Sequence, residues 1–337
     1  MNFKLVLGTI IGKPYPWIYG IRIRAVMVNA YEILSKGVLE KARGKGLRKI
    51  LGVSDDVELW LDSGGYQFLK RGINVTVDMI ARVYRSIDAD FYVSLDYPPS
   101  PSDDVKVRAS KIAKSIQNYK LLKRLLSDKI ILPVYHFSTG ELLKTQLSSY
   151  HDADYVCIGG LVPYFMQLAG KYSRLKAVVF LALIRKLVSS KIHALGLASP
   201  AVLPILRRIE VNSADTMTWR QKAAYGKVII PGMGERHVSG RRVRFGPKYT
   251  TDSDWKKIRH YLSVIKDRGL NIELEDLVSD FTFRAIFNAW SLQYIAEQAY
   301  DGGEIVSPAF RRLYDEAAKL RNMEILELEN YFSSLVS

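Results

Sequence analysis

Along this chain, short apolar runs rich in β-branched and aromatic side chains alternate with longer stretches whose apolar positions recur every three or four residues. The first pattern is that of a buried strand, the second that of an amphipathic helix. The sequence thus predicts strands over 25–29, 57–61, 91–95, 130–134, 155–158, 192–195 and 210–214, the last with the weakest pattern. Helical patterns fall between them, over 31–45, 77–86, 103–126, 140–149, 172–189 and 200–208. Such alternation predicts parallel strands joined by helical crossovers. Seven units of this kind without a G-x-G-x-x-G turn favour an α/β fold of the closed (β/α)8 TIM type over a doubly wound sheet. From Asp252 onward the chain reads as helices, broken at Asp301-Gly302-Gly303. The expected organisation is a barrel over 1–251 with a basic insertion near 232–248, then helices over 252–337 that complete and cover it. No repeat, low-complexity segment or disordered linker interrupts this pattern.

Composition sharpens the picture. The chain has 337 residues, 48% of them hydrophobic, enough to bury a large core. Lys and Arg outnumber Asp and Glu by 49 to 34, a net charge of +15. That balance points to a polyanionic partner, nucleic acid ahead of a membrane, against the plainer reading of a basic surface with no specific partner. A single cysteine, Cys157, excludes internal disulfides and any multi-cysteine zinc site, and fits a reducing, cytoplasmic setting. The first residues, MNFKLVLGTIIGKPYPW, have too short an apolar run for a signal peptide. The most apolar helical stretch, 175–188, is interrupted by Lys176, Arg185 and Lys186 and is too short to span a bilayer, so a soluble protein is expected. The five histidines lack metal-ligand spacing, and His193, inside an apolar strand, reads as a core residue. Neither a metal nor a cofactor is expected, and no phosphate loop, nucleophilic serine or flavin signature is present.

In a barrel of this type the site is built just beyond the C-terminal ends of the strands. Those positions hold Asp62-Ser63-Gly64-Gly65-Tyr66-Gln67, then Asp96, then Tyr135-His136, then Gly159-Gly160-Leu161, then Gly196, and finally Asp215. Three carboxylates, three glycine spots and two aromatics facing one mouth suit a planar, polar ligand. Each has a plain structural alternative: Asp215 capping the next helix, Asp96 in a turn before Pro98-Pro99, Asp62 solvated in a tight turn.

The motifs Asp62 to Gln67, Ser94-Leu95-Asp96, Ile158-Gly159-Gly160-Leu161, Leu195-Gly196 and Asp215 resemble, in order and approximate spacing, those of tRNA-guanine transglycosylases. The resemblance spans roughly residues 57–226, with a fainter echo at Asn288. It implies a (β/α)8 fold and exchange of a guanine in nucleic acid for a free 7-deazaguanine without breaking the strand. It also implies that Asp215 is the nucleophile and Asp62 the general acid/base. Asp96, Gly159, Gly160 and Leu161 would recognise the base, with Tyr66 stacking on it, in a base pocket that also takes in Ser63, Gly65, Gln67, Tyr135 and Gly196.

The residue types suit that chemistry. Displacing a base passes through an oxocarbenium-like centre that a carboxylate captures as an ester, while a second carboxylate manages the proton on each base. An ionised Asp96 matches the donors on guanine's Watson–Crick edge. A base within a duplex must be flipped out to reach such a pocket.

The sequence also departs from the family. It cannot build the zinc subdomain of three cysteines and a histidine, Tyr135-His136 stands where a glutamine is usual, and no appended RNA-binding module follows. Trp219, Arg220, Lys222 and the basic run Arg236, Arg241, Arg242 and Arg244 alternate with apolar residues instead, as in a β-ribbon tracking a phosphate backbone or, equally, a solvated hairpin. These departures resemble the DNA-directed DpdA branch, so DNA is expected ahead of tRNA as acceptor. Alternatives are a hydrolase in which water finishes the reaction and a non-catalytic nucleic-acid-binding subunit. Helper proteins that open a duplex, or a homodimer, stay open as partners.

Overall fold

A computed structural model describes residues 3–168, 170, 173–240, 249–297 and 307–336. Nine parallel strand segments form one sheet: β1 Lys4–Gly8, β2 Ala25–Asn29, β3 Glu58–Asp62, β4 Phe91–Val93, β5 Ile131–Leu132, β6 Val134–His136, β7 Tyr155–Gly159, β8 Lys191–Ala194 and β9 Ser213–Thr216. Their spatial order is β5-β4-β3-β2-β1-β9-β8-β7-β6. The two ends of that series, β5 and β6, are separated in the chain only by Pro133, which has no N–H to continue a ladder but whose carbonyl accepts the Cys157 N–H at 2.8 Å. They are two halves of one stave, so the sheet closes into the expected eight-stave α/β barrel.

Alternation decides which side chains fill it. Val6, Ala25, Met27, Trp60, Val93, Leu132, Val134, Tyr155 and Cys157 form the inner core. Residues such as Leu5, Leu7, Leu59 and Leu61 face outward into the larger core beneath the helices. Several crossover helices match the pattern closely. Val77–Ser86 is capped by Thr76, and Val105–Leu125 by Asp104.

Three elements differ from the expectation. The helix expected over 31–45 is broken into Ala30–Ser35 and Leu39–Lys45, because Gly37 takes a left-handed φ of 61°, and a further short helix, Leu47–Leu51, follows Gly46 at φ 79°. The strand expected over 210–214 begins only at Ser213, since Glu210 sits at φ 68°, so Asp215 lies within β9 rather than after it. Finally, β1 supplies the stave that the pattern left unassigned, and no α-helix follows it; only the 3-10 turn Pro16–Tyr19 does. The helix Phe281–Glu297, buried on nearly every face, packs against β1 instead.

A hairpin of β10 Lys227–Ile230 and β11 Gly234–His237 shares a second core with the helices Asp252–Lys266, Leu274–Ser279 and Phe281–Glu297. The last two helices, Pro308–Asn322 and Ile325–Val336, pack on Ser173–Leu187. The break expected at 301–303 lies outside the described residues. Among the described residues no helix is long and apolar enough to cross a membrane.

Candidate active site

Asp62 closes β3, two residues beyond the inward-facing Trp60, and so points into the top of the barrel. Its Oδ2 accepts the Gly64 N–H at 2.9 Å. Gly64 has φ 72°, and a Cβ there would meet Tyr31 Cβ at 2.9 Å, so the turn that follows the acid requires glycine. Asp215 reaches the same mouth from β9, three staves round, two residues beyond Ser213. Its Oδ1 accepts the Gly196 N–H at 2.7 Å and lies 3.2 Å from His193 Nε2. Asp96 follows β4 and is held by the crossover helix beneath it: Asn118 donates to the Leu95 carbonyl at 3.0 Å, and the Tyr97 N–H donates to Ser115 Oγ at 2.9 Å.

Electrostatics ties the three together. Burial pushes Asp62 up to about 6, and the like charge of Asp215 adds to the rise against the opposing hydrogen bond from Gly64. Burial first and Asp62 second push Asp96 up to about 7. The Cys157 thiol below them is pushed well above its ordinary value by burial, then by Asp62, Asp215 and Asp96. One inner thiol thus feels all three carboxylates, which places them on a common crown. Asp62 and Asp96 are both held closer to neutrality than an ordinary aspartate.

The glycines let the backbone pack closely beside this crown. A Cβ on Gly65 would stand 2.7 Å from the Asp96 carbonyl oxygen, and one on Gly159 2.8 Å from Val134 Cγ1 and 3.5 Å from Asp96 Oδ2. Gly160 and Gly196 both have left-handed φ, at 75° and 70°. Outside the crown opens a cleft of about 1060 Å³, lined by Gln67, Gly196, Asp215, Thr218, Lys222 and Glu235 among others. Asp62, half-buried, and Asp96, buried, are not among the residues lining that cleft.

Other expected site residues are placed differently. Tyr135 is 1% exposed and points away from the mouth, its ring edge-on to Tyr150 at 5.0 Å, because the inward position of Val134 turns the next side chain outward. His136 faces inward instead, with Nε2 3.3 Å from Asp96 Oδ2. Gln146 fixes its backbone through both N–H and C=O, and burial pushes the imidazole down to about 4, so it stays neutral. Tyr66 is 61% exposed on the helix Gly65–Lys70, and Leu161 is buried at the start of Val162–Phe165. Ser63 is buried, its Oγ turned to the Gly65 N–H at 3.4 Å.

The phosphate-tracking set is corrected more heavily. Trp219 is fully buried and donates to the Gly8 carbonyl at 2.8 Å. Arg220 is committed to the carbonyls of Lys13 and Pro14. Arg236 pairs with the buried Asp254 at 3.0 Å and donates to the Met233 and Glu235 carbonyls. All three hold the fold rather than a backbone. Lys222 does line the cleft, paired with Glu235 at 2.5 Å. Arg241, Arg242 and Arg244 lie outside the described residues. Asn288 is buried with its amide fully engaged, donating to the Trp219 and Lys227 carbonyls and accepting the Ile229 N–H.

The sequence names His136 only alongside Tyr135, and His193 reads there as a core residue. Strand parity from Val134 identifies His136 as inward. His193 stands opposite Ser213 in the β8–β9 register, which sets it beneath Asp215.

Fold and site together define an eight-stave α/β barrel with three carboxylates crowning the C-terminal end of its strands. No family model matches the chain. It is similar to Uncharacterized protein 306 of Sulfolobus islandicus rod-shaped virus 1, 26% identical over 245 residues that cover 70% of this chain and 71% of that protein, whose name assigns no activity.

Proposed function

We propose that the protein is a base-exchanging glycosyltransferase, replacing a guanine in nucleic acid, DNA ahead of tRNA, with a free 7-deazaguanine. The observation that carries this reading is the meeting of Asp62 and Asp215, far apart in sequence, at one barrel mouth where the charge of Asp215 adds to the cost of ionising Asp62. Two carboxylates with different environments divide the labour. Asp215, fixed through Oδ1, attacks C1′ with its other oxygen as the C1′–N9 bond breaks, and Asp62 gives its proton to the departing guanine. The incoming base then returns a proton from its N9 to Asp62, attacks C1′ and releases Asp215 as a carboxylate. Asp96, packed closely against Gly65 and Gly159, accepts from the donor edge of the base.

Incubation with labelled guanine or 7-deazaguanine and either plasmid DNA or bulk tRNA tests the proposal. Label entering DNA supports it, and label entering tRNA moves the acceptor to tRNA. Loss of base without incorporation makes the protein a hydrolase, and binding alone makes it a passive partner. Asp215→Ala is expected to abolish a trapped covalent protein–nucleic acid species while melting as the wild type does; normal turnover in that variant rejects the nucleophile.

A further inference from the structure

We propose that His193 is a positioning residue for Asp215. A buried chain running up inside the barrel, Tyr155 to Ser213 to His193, sets the imidazole tautomer and holds one carboxylate oxygen so that the other faces the sugar. The inference rests on the base-exchange reading for its kinetic consequence, but its geometry stands apart from it.

The distances define the chain. Tyr155 Oη lies 2.6 Å from Ser213 Oγ, Ser213 Oγ 2.6 Å from His193 Nδ1, and His193 Nε2 3.2 Å from Asp215 Oδ1. Ser213 and His193 are fully buried and Tyr155 nearly so, with the Trp60 ring 4.6 Å from the imidazole and 5.4 Å from the phenol. Water is therefore not a ready substitute partner. An ionised carboxylate only accepts, so Nε2 must carry the hydrogen in this contact. A neutral ring with hydrogen on Nε2 has a lone pair on Nδ1, so Ser213 must donate to it. The phenol, whose ionisation burial opposes, then donates to Ser213. Every hydrogen in the chain thus points toward Asp215.

The result is asymmetric. Oδ1 receives both His193 and the Gly196 N–H, whereas among the described residues nothing donates to Oδ2. Two donors on one oxygen prevent the carboxylate from rotating and leave its unshared oxygen as the nucleophile, the arrangement that orienting partners give reactive or ligating groups elsewhere. The same contact disperses the negative charge that returns to Asp215 when the incoming base displaces it.

The experiment compares His193→Phe, which keeps a ring against Trp60 but has no donor, with His193→Gln, whose side-chain amide can donate from the place of Nε2. In single-turnover and steady-state exchange assays, His193→Phe is expected to lower kcat about ten- to hundredfold with KM within about twofold, and His193→Gln to recover most of that loss. Imidazole ¹⁵N NMR of the wild type is expected to show His193 with hydrogen on Nε2 and an accepting Nδ1. Undiminished kcat in His193→Phe overturns the proposal, as does hydrogen on Nδ1 in the NMR. So does an equal loss in both variants accompanied by an equal fall in melting temperature, since that is a packing role only. If the wild type itself exchanges no base with either acceptor, the functional reading fails while the NMR result still decides the chain.

Discussion

Asp96 is a buried acid whose ionisation the fold resists, and replacing it with asparagine should make that resistance measurable. In an unfolded chain an aspartate ionises near its ordinary value of 3.8, whereas in the fold burial and Asp62 hold this one at about 7. Well below pH 3.8 both states are protonated and the group is silent. As pH rises from 4 to 7 the unfolded chain gives up its proton while the folded protein keeps it, so stability falls through that window and levels off above it. A displacement of about three units, at about 1.4 kcal/mol each, is worth about 4 kcal/mol at pH 8 as a ceiling. Roughly 2.5 kcal/mol of that accrues between pH 5 and 8, because the unfolded acid is already largely ionised at pH 5. Asp96→Asn removes the titration and keeps the shape. Urea unfolding of both proteins at pH 5, 6, 7 and 8 should show the variant gaining on the wild type by about 1–2.5 kcal/mol across the series, the lower figure allowing for relaxation of the site. A difference constant to within about 0.5 kcal/mol from pH 5 to 8 would refute the claim that burial holds this acid protonated.

Three further outcomes are expected, two from the structure and the third from the basic run in the sequence. Asn288→Ala leaves the Ile229 N–H and two buried carbonyls without their partner and should cost about 2–4 kcal/mol in chemical unfolding; a loss under about 0.5 kcal/mol contradicts the clamp. Gly159→Ala forces a methyl against Val134 and toward Asp96, so stability should drop by about 1–3 kcal/mol and uptake of labelled base should weaken, whereas unaltered uptake moves base recognition away from this strand end. Nucleic-acid affinity should fall as salt rises, and changing Arg241 and Arg242 to Ala should reduce the slope of log affinity against log salt by about 2; an unaltered slope removes these arginines from the interface.

The barrel was largely legible because its crossover helices and inner strands keep their periods: Val77–Ser86 and β2 fall where the pattern puts them. What stayed hidden has local causes. The run Lys4–Gly8 becomes a strand only by pairing with β2 and with β9, and the latter partner is some two hundred positions away in the chain. The hairpin strand Lys227–Ile230 owes its place to Asn288 and to a core shared with later helices, neither of which its own residues announce. At the crown, positions after strand ends identified Asp62 and Gly196. The choice between Tyr135 and His136 needed strand parity, and the pairing of His193 with Asp215 needed the register between neighbouring strands. Basic residues misled most: Arg220 and Arg236 look free in sequence, yet each is spent on internal carbonyls or a buried acid.

The helix Phe281–Glu297, which packs against β1 and the Pro16–Tyr19 turn, has a consequence for how the molecule comes into being. During synthesis the outer face of β1 stays bare until the ribosome has delivered a segment from the last sixth of the chain, so ring closure and helix docking are late, long-range events. A nascent chain halted at residue 280 should therefore display an apolar stripe through Leu5 and Leu7 and associate with holdase chaperones, whereas one released beyond Glu297 should not.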